Sequence, residues 1–106
     1  MIIANRYIRI LIATICVFLS MAVIAYALAG AYTNRGDAYN HKGQYDRAIE
    51  DYNKAIQLNP NLAVAYNNRG VAYADKGQYG KAISDFQKAC DMGHADGCEA
   101  LQRILE

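Results

Sequence analysis

Two stretches of this chain are close copies of each other. Ala31–Val64, moved on by 34 positions, falls on Ala65–Cys98. The pairs include Tyr32/Tyr66, Arg35/Arg69, Gly36/Gly70, Tyr39/Tyr73, Ala48/Ala82, Asp51/Asp85, Lys54/Lys88 and Ala55/Ala89. The run Lys42-Gly43-Gln44-Tyr45 recurs as Lys76-Gly77-Gln78-Tyr79, and Tyr52/Phe86 is a conservative difference. A fixed period of this size marks one supersecondary unit used more than once. Such a unit cannot bury its apolar face alone and stacks on its neighbour.

Within each copy, Lys-Gly-Gln separates two helical runs. Glycine there supplies the left-handed residue that ends a helix. The spacing predicts helices over Ala31–Lys42 and Tyr45–Leu58, and over Leu62–Lys76 and Tyr79–Asp91. Asn59-Pro60-Asn61 stops the second helix, because proline cannot continue it and restrains the residue before it. Gly36, Gly70, Ala48, Ala82, Ala55 and Ala89 are small where helices approach. The tyrosines at repeat-equivalent places are expected to fill the gaps between helices, Tyr39 and Tyr73 in buried positions.

Tyr32-x2-Arg35-Gly36-x2-Tyr39, followed by Ala48-x3-Tyr52 and Pro60, resembles the tetratricopeptide repeat, and the second copy resembles it again through Phe86. The resemblance implies an all-α fold: a short α-solenoid of two helix–turn–helix repeats, 31–64 and 65–96, with a capping helix over 97–106. It sits behind an N-terminal hydrophobic helix. The resemblance also implies a non-catalytic protein–protein interaction module, scaffold or adaptor. In that family the first helix of each repeat lines a concave groove that holds a partner's peptide or helix. The residues at those places are Thr33, Asp37, Asn40 and His41 in copy one, and Asn67, Val71, Ala74 and Asp75 in copy two. Members that grip a C-terminal carboxylate carry basic residues where this chain has Thr33 and Asp37, which disfavours that ligand. The partner implied is a protein or peptide, a second copy included; two repeats make a short groove, which homo-oligomerisation or docking on a larger membrane complex would extend. Arg35 and Arg69 stand where the family prefers leucine, and each guanidinium must reach solvent or a carboxylate. His94 stands where copy one has Pro60.

Residues 1–30 carry a different signal. Arg6 and Arg9 precede an apolar run from Ile10 to Ala31, interrupted only mildly by Thr14 and Ser20. As a helix this run is long enough to cross a bilayer, and it has no polar face. Two readings stand: an uncleaved membrane anchor through residues 10–30, or a signal peptide cut after Ala29 in the small-x-small pattern Ala27-Leu28-Ala29. In the first the repeats are anchored on the extracytoplasmic side, and in the second they are secreted or periplasmic, since the basic end stays inside. Cys16 follows Ile15, where a lipoprotein signal would have a small residue, and reads as a lone apolar thiol.

The last ten residues read as the cap. Asp96 is the expected N-cap with Glu99 three residues on, and Leu101, Ile104 and Leu105 form an apolar face. Cys90 and Cys98 stand at the repeat equivalents of Ile56 and Val64. The stretch Lys88-Ala89-Cys90-Asp91-Met92-Gly93…Gly97-Cys98 resembles the cysteine-rich Sel1-like repeats, in which this spacing forms a bridge. The resemblance implies a Cys90–Cys98 disulfide, the natural state of such a pair in an exported protein. A metal set of Cys90, His94 and Cys98, or free or intermolecularly paired thiols, are the other readings. An extracytoplasmic redox or metal-binding protein using these residues is therefore the alternative function.

Charge and motif content narrow the classes further. The whole chain has a formal net charge of +1, and no basic stripe of the kind a nucleic-acid footprint needs. There is no Cys-x-x-Cys, phosphate loop or nucleophile elbow. No acid–base or nucleophile set converges, so no enzyme, no cofactor and no dedicated metal site are expected.

Overall fold

The structure, a computed structural model, describes residues 2–106; position 1 of the leader lies outside the described residues. The described chain is five helices and no strand: α1 Ile2–His41, α2 Tyr45–Leu58, α3 Ala63–Asp75, α4 Tyr79–Asp91 and α5 Ala95–Leu105. Successive helices pack as antiparallel neighbours, α1 on α2, α2 on α3, α3 on α4 and α4 on α5.

The leader and the first repeat helix are one helix of 40 residues. A helix start at Ala31 was the expectation, and the structure corrects it. No proline or competing cap interrupts the run from Ile10 to His41. Gly30 alone costs a helix interior only about 1 kcal/mol. Almost every described side chain from Ala4 to Leu28 is exposed, including Ile10, Leu11, Phe18, Leu19 and Met21, each more than 60% exposed. From Ala29 the same helix enters the core. Ala29 is fully buried with Ala55 and Ala65, and Tyr32, Ile56, Leu58 and Leu62 pack around them. A second cluster joins Ala48, Ile49, Tyr52 and Ala72, with Tyr39 and Tyr73 against it.

Close approach is built on glycine. A Cβ on Gly36 would come within 2.8 Å of the Tyr52 ring, and one on Gly70 within 2.7 Å of the Phe86 ring. Each aromatic ring of a second helix therefore lies directly against the first helix of its own repeat. Tyr52 is fully buried. Tyr39 and Tyr73, expected to be buried, are half-buried instead, because their rings lie at the edge of the bundle beneath cationic side chains.

Three of the four turns share one geometry. Gly43, Gly77 and Gly93 all have positive φ, at 76°, 79° and 86°. In each turn the residue after the glycine donates its N–H five residues back: Gln44 to Tyr39, Gln78 to Tyr73, His94 to Ala89. This is the Schellman ending, which left-handed glycine makes easy. The α2–α3 connection differs, with Asn59 extended and Leu62 donating to the Asn59 carbonyl. The turn after copy two is thus a third copy of the turn inside each repeat, and not a second copy of the Pro60 connection. By this alignment Cys98, whose N–H bonds the His94 carbonyl, takes the place of Ala48 and Ala82, which bond Gln44 and Gln78 in the same way. The expected equivalence of Cys90 and Cys98 with Ile56 and Val64 does not describe the turn. Proline has no N–H and a fixed φ; with His94 in its place the chain is free to close on Gly93.

The cap is also set differently from expectation. α5 opens at Ala95, and its N-cap is His94, whose Nδ1 accepts from the Gly97 N–H at 3.3 Å. Asp96 lies inside the first helical turn, where its charge favours the helix N-terminus. Of the expected apolar face, Leu101 and Ile104 are half-buried and Leu105 is exposed.

Candidate functional site

The first helices of the two copies, α1 and α3, stand side by side, and residues one turn apart on each face the same side. Asp37, Asn40 and His41 of α1 and Asn68 and Val71 of α3 line an open cleft of about 300 Å³, with Tyr52 of α2 at its floor. Its polar network starts at Asp37. The Tyr52 hydroxyl donates to Asp37 Oδ1 at 2.5 Å, and Asn68 Nδ2 donates to the same oxygen at 2.9 Å. Burial first, and then the bond to Asp37, push the Tyr52 hydroxyl well above the usual tyrosine pKa. Asn67 Nδ2 donates to Asn68 Oδ1 at 3.3 Å. Two carboxamide oxygens, Asn40 Oδ1 and Asn67 Oδ1, are buried with no donor among the described residues.

Of the eight groove residues expected from the sequence, the cleft brings together Asp37, Asn40, His41 and Val71. Thr33 does not line the cleft. It is 4% exposed, and its hydroxyl donates to the Ala29 carbonyl at 2.8 Å, one turn back on its own helix. With its hydroxyl spent locally and its surface covered, it has nothing to offer a partner. Asn67 is buried too, at 9% exposed. Ala74 is half-buried and Asp75 exposed, and neither lines the cleft. Tyr52 and Asn68 were missed as cleft residues. The signal for Tyr52 was the mismatch with Phe86: a hydroxyl in one copy only needs a partner in that copy only, and Asp37 faces Val71 at the equivalent position.

The opposite face holds a cluster that repeats with the period. Arg35 makes a two-pronged pair with Asp51 at 2.7 and 2.8 Å, and Arg69 makes the same pair with Asp85 at 2.8 and 2.7 Å. Each guanidinium lies over two tyrosines, Tyr32 and Tyr39 or Tyr66 and Tyr73. Arg69 also reaches Asn53 Oδ1 at 2.8 Å, tying copy two to copy one. The hydrogen bond to the carboxylate raises both arginine pKa values above their ordinary range. The fork geometry of arginine fits a carboxylate in a way leucine cannot, which accounts for the departure from the family pattern.

At the C-terminal end the Cys90 and Cys98 sulfurs are 2.00 Å apart and their Cα atoms 4.5 Å apart. Each sulfur faces the other and not a shared centre, and His94 Nδ1 is occupied as a helix cap. Among the described residues no group of three potential ligands converges on a metal position. The geometry gives no support to the metal or redox reading.

A family model described as TPR repeat matches residues 36–77, and another, described as Tetratricopeptide repeat, matches residues 63–92. This chain carries tetratricopeptide repeats. Solved structures agree. Two crystal structures of MamA match at 39% and 37% identity, with TM-scores of 0.58 and 0.60, over 60% and 64% of this chain. They are longer proteins, of which this chain spans 35% and 40%. The NMR structure of the second TPR domain of the human RPAP3 protein, in complex with the HSP70 peptide SGPTIEEVD, matches at 28% identity and a TM-score of 0.69. That match covers 74% of this chain and 67% of the RPAP3 domain. No curated protein matches this sequence. The repeats end at 92 in the family match, ahead of the Gly97-Cys98 end of the stretch that resembles Sel1-like repeats. Repeats of this kind are interaction scaffolds whose function lies in the surface they present.

Proposed function

We propose that this protein is a membrane-anchored interaction module that holds a segment of a partner polypeptide in the cleft between α1 and α3. The observation that carries the reading is the carboxamide oxygen of Asn40, Oδ1, which lies in the cleft and receives no donor from the described residues. A buried acceptor left unpaired costs about 1–3 kcal/mol. A backbone N–H from a bound segment would offset that cost. The related RPAP3 domain, which takes a peptide, supports the reading at the level of the fold.

The test is capture in intact membranes by a photoreactive amino acid placed at Asn40, compared with one at the exposed Lys81 on the other face. A polypeptide captured from position 40 and not from 81 is the expected result. Equal capture from both positions, or capture from 81 alone, rejects the cleft.

The anchor is the better of the two readings of the leader. Cleavage after Ala29 would remove a residue that is fully buried against Ala55 and Ala65, and with it the carbonyl that accepts from Thr33. It would also cut inside a continuous helix. The repeats are accordingly assigned to the extracytoplasmic side, with Arg6 and Arg9 inside. N-terminal sequencing of membrane-bound protein should recover the leader; a start at Gly30 would sink this reading. In that compartment the Cys90–Cys98 pair is a bridge that fastens α5 to α4, its 4.5 Å Cα separation lying within the range a disulfide requires.

A further inference from the structure

We propose that the cleft takes a cationic side chain, a lysine or arginine of the partner segment, seated against Asp37. The proposal rests on the cleft being the binding groove and adds the chemistry of what enters it.

The argument is a count of donors and acceptors. Both hydrogen bonds that Asp37 receives arrive on Oδ1; none of the described residues donates to Oδ2. Of the donors in the lining, the Tyr52 hydroxyl and the Asn68 amide are already used on that carboxylate, which leaves the Asn40 amide and the His41 ring. Asn40 Oδ1 has no donor among the described residues. Asn67, one turn before Val71 on the same stripe of α3, is 9% exposed, and its Oδ1 has none either. A carboxamide can turn over and present its NH2, but a carboxylate cannot donate. What the cleft sets against a charged group is the carboxylate of Asp37, with the Asn40 oxygen as a further acceptor beside it. No lysine or arginine lines it.

A ligand carboxylate would meet Asp37 directly and be repelled. An ammonium or guanidinium carries only donors, three or five of them, and matches what is free. Val71, 36% exposed, supplies an apolar wall for the methylene stem of such a side chain. The charge of the cleft is thus opposite to that needed for an acidic peptide end such as the one in SGPTIEEVD.

Two labelled peptides test this against the full chain in lipid nanodiscs. One is SGPTIEEVD. The other has its three acidic residues replaced by lysine and its C-terminus amidated. The lysine peptide should bind at least tenfold tighter, and more weakly as salt is raised. Asp37→Asn keeps an acceptor for Tyr52 and Asn68 while removing the charge, and should weaken lysine-peptide binding about tenfold. Val71→Lys, at a position already exposed, should weaken it at least as much, whereas Glu50→Gln on α2 should change it less than twofold. Equal or tighter binding of SGPTIEEVD overturns the cationic assignment, and so does lysine-peptide binding that ignores both cleft variants. Failure of both peptides overturns it as well. The groove itself is judged separately, by the crosslink from position 40: a captured segment without lysine or arginine leaves the groove standing and removes the cation.

Discussion

Copy one and copy two press an aromatic ring against the same glycine, Tyr52 on Gly36 and Phe86 on Gly70. Only copy one places a hydroxyl on that ring, and only copy one has a carboxylate, Asp37, to receive it. Copy two has Val71 at the place of Asp37 and needs nothing there. The two differences are one difference. They show that the repeat conserves shape, while chemistry at the groove is free to vary in matched pairs. They also show which copy carries the polar half of the cleft.

The largest effect comes from removing either ring. Tyr52→Ala and Phe86→Ala should each cost about 3–5 kcal/mol, measured by denaturant unfolding, since the rings are 0% and 4% exposed. The same truncation at the half-buried Tyr73 should cost less. If Tyr73→Ala proves the costlier change, the glycine–ring contact is not the centre of the repeat.

The bridge comes next. Copy one packs at its far end against the copy that follows, whereas copy two packs there against the short α5. Reduction, or Cys98→Ser, should lower stability by about 2–3 kcal/mol for a loop this short, and α5 should lose amide-exchange protection before α2 does. Two titratable thiols at positions 90 and 98 in protein from an oxidising compartment would remove the staple.

The smallest effects make the comparison sharpest. Tyr52→Phe removes one of the two donors on Asp37 Oδ1 and should cost about 1–2 kcal/mol. Asp37→Val together with Tyr52→Phe rebuilds the copy-two pair in copy one and should recover most of that loss, read as a coupling energy in a double-mutant cycle. The same pair predicts a pH dependence. Burial and the bond to Asp37 hold the Tyr52 hydroxyl neutral in the fold, so its pKa lies above the value of the unfolded chain. Its contribution is fully present below about pH 10, the ordinary tyrosine value. Above that the unfolded chain sheds the proton while the folded one keeps it, and stability falls as pH rises. The melting temperature of the double variant should decline less steeply between pH 9 and 11 than that of the natural chain. Parallel declines would mean that Tyr52 contributes nothing to alkaline lability.

Much of this was readable from the residues. The period and the Lys-Gly-Gln turns placed α2 and α4 at their observed bounds, because glycine at a left-handed position leaves a helix little choice about where to end. The guanidiniums at 35 and 69 announced a need for solvent or a carboxylate. Asp51 and Asp85 stood among the matched residues with the same spacing, and only packing could show that they meet. Continuity of α1 was hidden because an apolar leader and a repeat helix look like separate signals, although neither contains a stop. The α4–α5 turn was misread through repeat arithmetic. Gly93 stands on the pattern of Gly43 and Gly77, a closer guide to geometry than the offset from Pro60. Thr33 was misplaced because its helix position faces the groove side, but its hydroxyl turns back on its own backbone.

Under the proposed anchoring of residues 10–30 in a bilayer, the unbroken α1 would make the direction in which the cleft looks a matter of counting. Each residue advances an α-helix by about 100° and 1.5 Å. One residue inserted near Ile24 would swing the cleft about 100° around the membrane normal without touching a residue of either repeat. Seven inserted residues would bring it back to within about 20° of its first bearing, roughly 10 Å further from the lipid. A partner fixed in the same membrane would therefore lose contact and regain it with a periodicity set by helix pitch, as a key does when its blade is turned in the lock.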